Sequence, residues 1–122
     1  MKYMLLIYDE EKAFAKLSDA ERGAIYAEYR QFGEQLRSAG QYISGSQLQP
    51  SSAATSVRIR DAKRLLTDGP FAETREQLGG YYLIEAKNLD EAIALAAKVP
   101  SARMGTIEVR PLVEMAAPAG KG

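Results

Sequence analysis

The sequence predicts an α+β fold, an antiparallel sheet with two helices on one of its faces. Three observations carry this. Tyr3–Tyr8 (YMLLIY) is an apolar run of strand length close to the start of the chain. Two later segments carry apolar residues at helical spacing. Between and after them lie short runs of strand character, punctuated by glycine and proline turns.

Each element has its own signal. In Tyr3–Tyr8 both alternating sets, Tyr3/Leu5/Ile7 and Met4/Leu6/Tyr8, are apolar, the pattern of a strand buried on both faces. Ser18 and Glu21 form a capping-box pair, and Ile25, Tyr29, Phe32 and Leu36 share one helical face. A helix is therefore expected over Asp19–Ala39, stopped by Gly40. Gln41–Leu48 reads as a second strand, loosened by Gly45 and closed at Pro50-Ser51-Ser52. In Thr55–Arg60, Val57 and Ile59 alternate with Ser56, Arg58 and Arg60; after a turn at Asp61-Ala62-Lys63, Arg64–Thr67 returns as the second arm of a hairpin.

Thr67–Gly80 (TDGPFAETREQLGG) follows as a loop. Asp68-Gly69-Pro70 reads as a turn with Phe71 as its anchor, and Glu73, Arg75, Glu76 and Gln77 as one short helical turn. Gly79-Gly80 reads as a bulge or tight entry into the strand Tyr81–Ala86, which is apolar on both faces as far as Ile84. Asn88 with Glu91 marks the start of a second helix whose apolar face is Leu89, Ile93, Ala96 and Ala97, and Pro100 halts it. Thr106–Val113 is the last strand. One domain is expected over 1–114, with 115–122 as a disordered tail.

The order β-α-β-β-hairpin-β-α-β is close to the split βαβ arrangement of ferredoxin-like domains. Two helices cover only one face of such a sheet, yet its central strands are apolar on both. A second copy is expected to cover the other face, giving a two-fold homodimer.

Composition narrows the chemistry. Lys plus Arg equals Asp plus Glu at 16 each, so no general field draws nucleic acid or an anionic membrane. No stretch approaches the roughly 20 apolar residues of a membrane span, and a cytoplasmic location is expected. The sequence contains neither Cys nor His. Thiolate nucleophiles, zinc–thiolate sites and Ser–His or Cys–His catalysis are thereby excluded within the chain. Acid–base work would fall to Asp, Glu, Tyr or Lys with a shifted pKa. No cofactor or metal is expected.

The run Thr67-Asp68-Gly69-Pro70-Phe71-Ala72-Glu73-Thr74-Arg75-Glu76-Gln77-Leu78-Gly79-Gly80-Tyr81-Tyr82-Leu83-Ile84 resembles the signature of DGPF proteins, a branch of the YCII-related family. The likeness extends from Lys2-Tyr3-Met4 through Val57–Asp61 to Glu108–Leu112. It implies a ferredoxin-like fold assembled as a dimeric α+β barrel with an active-site cleft. Some DGPF proteins are linked by gene neighbourhood to extracytoplasmic-function sigma factors. Some YCII relatives act on chlorinated aromatic compounds with a His–Asp pair, and this chain has no His to form one.

Asp68 is left as the candidate catalytic carboxylate, and it also reads as a turn residue. Tyr8, Tyr81 and Tyr82 are core or interface residues of which one hydroxyl is a candidate to face a cleft beside Asp68. Arg60 is a solvated edge or an anion contact, and Glu73 a surface residue or a binding edge. The functions expected are binding of a small molecule, an Asp/Tyr-based isomerase, lyase or dehydrohalogenase without metal, or recognition of a protein partner through residues 67–80.

Overall fold

A computed structural model of the chain describes residues 1–114; the expected disordered tail, 115–122, lies outside the described residues. The elements run β1 (Lys2–Asp9), α1 (Glu11–Ala15), α2 (Asp19–Ser38), β2 (Tyr42–Gln47), β3 (Thr55–Arg60), β4 (Lys63–Asp68), β5 (Gln77–Glu85), α3 (Leu89–Ala96) and β6 (Thr106–Pro111), with 3₁₀ turns at Ser51–Ala53 and Pro100–Arg103. β1, β2, β5 and β6 form one antiparallel sheet in the order β2-β5-β1-β6. This is the ferredoxin-like arrangement, with β3 and β4 inserted as a separate two-stranded sheet.

The capping box starts α2 as its sequence requires: Ser18 Oγ accepts from the Glu21 N–H, and the Glu21 carboxylate accepts from the Ser18 N–H. Asn88 caps α3 by accepting from the Glu91 N–H. Both helices pack on the face of β1 that carries Tyr3, Leu5 and Ile7. Phe32 and Leu36 of α2 meet Ala92, Leu95 and Ala96 of α3 over Leu5 and Ile84 in the buried core. The opposite face, with Met4, Leu6 and Tyr8 beside Leu83 and Tyr81, stays half-buried.

Several local readings need correction. Residues 73–76 are irregular, and Gln77 starts β5, where it pairs with Asp9. The gain of a ladder pair overrides the weak helical signal, and Thr74 Oγ1 donating to the Glu76 carbonyl holds the bend. Gly79 and Gly80 lie inside β5. Ile7 pairs with Gly80 and Tyr8 with Leu78, which leaves Gly79 as the extra residue of the bulge expected there. The hairpin turn is the two residues Asp61 and Ala62, both at positive φ, so Lys63 already belongs to β4. β6 ends at Pro111. α1 lacks an apolar face long enough to announce it. Phe71 is 77% exposed and anchors nothing within the described chain, and Val57, Ile59 and Leu66 share one exposed face of the hairpin.

Candidate functional site

The alternation that buries Tyr3, Leu5 and Ile7 carries Asp9 to the same face at the end of β1, under the helical layer. Ser101, buried in the 3₁₀ turn that follows α3, donates to Asp9 Oδ2 at 3.1 Å. The Tyr29 hydroxyl of α2 is hydrogen-bonded to Ser101 Oγ. Since the Ser101 proton is given to Asp9, the Tyr29 hydroxyl donates to Ser101. A directed chain Tyr29→Ser101→Asp9 results, joining three elements.

The bulge and the end of the Thr67–Gly80 segment complete this corner. The Gln77 side-chain carbonyl accepts from the Glu11 N–H at 2.9 Å and so satisfies a free donor at the start of α1. Glu76 is held by Thr106 Oγ1 at 2.8 Å, close enough for its charge to act on Asp9. The Asp9 carboxyl is raised from its ordinary 3.8, first by burial and further by Glu76, against the lowering effect of the Ser101 hydrogen bond. Burial is also the main cause that pushes the Tyr29 phenol up to about 12 and raises Tyr82. Both phenols therefore stay neutral at physiological pH.

Asp9, Tyr29 and Ser101 open onto a cavity of about 910 Å³ between α2 and the β2–β5 side of the sheet. Its walls are largely apolar, and rings form much of them. Tyr82 is central, 5.2 Å from Phe32 edge-on, 6.3 Å from Tyr42 edge-on and 6.5 Å from Tyr29 in a stacked arrangement. Gly45 makes this possible: a Cβ there would lie 2.8 Å from Tyr82 Cδ1. Glu11 ties the 3₁₀ turn at Ser51–Ala53 to α1 by accepting from the Ser51 N–H at 2.7 Å and from the Ser51 hydroxyl, which fixes one side of the mouth. Among the described residues no three carboxylates gather to hold a metal ion.

Of the residues singled out from sequence, Tyr82 projects into this cavity. Tyr81 borders it along the strand, while the alternation turns its side chain to the opposite face, opposite Leu6. Tyr8 lies on that opposite face too. Asp68 ends β4, exposed and paired with Thr55; Arg60 sits at the hairpin end and Glu73 in the exposed loop. None of these last four borders the cavity. Asp9, Ser101 and the hydroxyl role of Tyr29 were not singled out. The available signal was a carboxylate ending a two-faced apolar strand in a chain without histidine.

The raised Asp9 carboxyl has a consequence for stability. The folded state holds the Asp9 proton more tightly than the unfolded chain, so this group's contribution is present at low pH and is lost as pH rises from 3.8 through the raised value. Asp9→Asn should thus gain stability relative to the wild type as pH rises from 3.8 through the raised value. Urea unfolding across that range measures it; a difference independent of pH would remove burial as the cause.

A family model described as "YCII-related domain" matches residues 1–116. Uncharacterized protein R00369 of Rhizobium meliloti (strain 1021) is 35% identical over 114 residues, covering 92% of each chain.

Proposed function

The chain belongs to the YCII-related family, and we propose that within it the chain binds a small organic molecule in the cavity ending at Asp9, Ser101 and Tyr29. The observation that carries this is one ordered polar chain at the end of a largely apolar, ring-walled space. That combination of apolar bulk and few oriented polar groups is what ligand pockets share. The signature at Thr67–Ile84, read as that of the DGPF branch, supports the site through its second half. Glu76, Gln77 and Gly79 build the corner around Asp9, whereas Asp68 lies out on the hairpin.

Leu48 borders the cavity and is 44% exposed, so Leu48→Trp should narrow the mouth without disturbing the core. Any small ligand found by thermal-shift screening should lose at least about tenfold in affinity in this variant, with the melting temperature of the free protein nearly unchanged. Unaltered affinity would place the ligand elsewhere.

Proton transfer is the second reading, favoured by the shifted Asp9 carboxyl at the end of the hydrogen-bond chain. Asp9 would take a proton from bound substrate, with Ser101 and the Tyr29 phenol holding it in place. A bound compound with an acidic C–H should then exchange deuterium from solvent at a rate that falls by about 10²-fold or more in Asp9→Asn. Equal loss in Asp68→Asn with Asp9→Asn unaffected would reassign the base to the hairpin.

The second sheet face supports a two-fold dimer. Met4, Leu6, Tyr8, Tyr81 and Leu83 form its apolar centre, flanked by charges of both signs: Lys2 and Arg110, Glu85 and Glu108. A patch of this kind is self-complementary about a two-fold axis, so two copies would close sheet to sheet. The exposed hairpin face and Phe71 add apolar surface for the same contact or for another protein partner. Light scattering at micromolar concentration should give twice the chain mass of 13.4 kDa, and Leu6→Arg should halve it. A monomeric wild type would contradict the dimer. No helix of the described residues is long and apolar enough to cross a membrane.

A further inference from the structure

Charge at the mouth of the cavity narrows the ligand beyond the reading just given, on which this inference rests. Tyr26, Arg30, Gly33 and Arg37 follow one another at four-, three- and four-residue steps along α2 and all border the cavity. They form an outer stripe beside the deeper pair Ile25 and Tyr29. Lys12 of α1 borders the same space.

Among the described residues the cations Lys12, Arg30 and Arg37 have no carboxylate partner within 4.0 Å, whereas Arg22, Arg75, Arg103 and Arg110 all have one. The Arg37 guanidinium rests 4.2 Å above the Tyr42 ring, which orients its fork without using up its donors on an acceptor. Tyr26 adds a donor. Its oxygen accepts from Gln47 Nε2 at 3.2 Å, so its own proton remains to give. Gly33 keeps the stripe open, since a Cβ at this position would come within 3.2 Å of Arg37 Nη1.

The carboxylates that border the cavity are otherwise occupied. Asp9 accepts from Ser101, and Glu11 accepts from Ser51 twice. Three cations against these two carboxylates leave an excess of a single positive charge. We propose that the ligand is an organic monoanion, a carboxylic acid with an apolar body, whose carboxylate is held at the mouth by Arg30 and Arg37. Its apolar part would lie along Tyr82 toward Asp9. A planar carboxylate fits the two-pronged donor geometry of arginine.

Matched pairs test this: phenylacetate and 4-phenylbutyrate against phenylacetamide and 4-phenylbutyramide, by calorimetry at low and at moderate salt. The acids should bind at least about tenfold tighter than their amides, by a margin that shrinks with salt. Arg30→Gln/Arg37→Gln should abolish the margin between acid and amide, with circular dichroism confirming the fold. Amides binding as tightly as acids would overturn the anion and leave the cavity standing as the site. An acid preference that survives in the double variant would overturn the assignment to these arginines. No binding by either set, in a wild type verified as folded, would overturn the monoanion and count against the cavity reading itself.

Discussion

Gly105→Ala should destabilise the protein by on the order of 3 kcal/mol, at the upper end of what overpacking costs. A Cβ at this position would lie 2.0 Å from the Tyr8 carbonyl oxygen and 2.8 Å from Asp9 Oδ1. Neither atom yields cheaply. The Tyr8 oxygen belongs to a central strand, paired with Leu78 on one side and Thr106 on the other. The Gly105 N–H is itself committed to the Ser101 carbonyl at 2.7 Å, which ties the approach of β6 to the turn that carries Ser101. Relief therefore means moving β1 or the Ser101 turn, and either motion separates Ser101 from Asp9. In thermal unfolding the variant should melt roughly 10 °C or more below the wild type. Gly23→Ala is the matched control. Nothing lies within 4 Å of its added Cβ on the exposed side of α2, and it should raise stability by about 0.5–1 kcal/mol through helix propensity. Equal effects of the two substitutions would refute the close approach at Gly105.

Tyr82→Ala should cost about 3 kcal/mol and abolish ligand binding, while Tyr82→Phe should leave stability within about 1 kcal/mol of the wild type. The ring touches Tyr29, Phe32 and Tyr42 and lies against Gly45, so truncation removes the common contact of three aromatic residues. The hydroxyl contributes less, because the protein gives it no partner among the described hydrogen bonds. Urea unfolding of the pair separates ring from hydroxyl. If Tyr82→Ala kept the affinity of the wild type, the ring wall would have no part in binding.

The elements that could be read from sequence are those whose cause is local. The capping box at Ser18 and Glu21, the Asn88 cap and the alternation of Thr55–Arg60 each act within a few residues, and each is present as expected. The apolar set that β1 and β5 turn toward the helices follows from their central place in the sheet. The site was less legible because its members meet only through sheet pairing and helix packing. Asp9 and Ser101 stand 92 residues apart, and Tyr29 and Ser101 stand 72 apart. Tyr29 looks, at helical spacing, like one more core residue; its hydroxyl acquires a role only once the turn after α3 lies over it. The Thr67–Gly80 segment shows the same limit. It reads as a signature in the sequence, but Gln77 takes up strand pairing with Asp9, which draws the second half of the segment to the cavity and leaves Asp68 on the hairpin.

The central claim is the location of the site. Backbone amide chemical shifts measured during titration with phenylacetate or 4-phenylbutyrate test it most directly. The largest changes are expected at Asp9, Tyr29, Gly45, Tyr82 and Ser101, with little at residues 67–73. Changes concentrated at Asp68 and its neighbours, with the Asp9 corner unmoved, would contradict it.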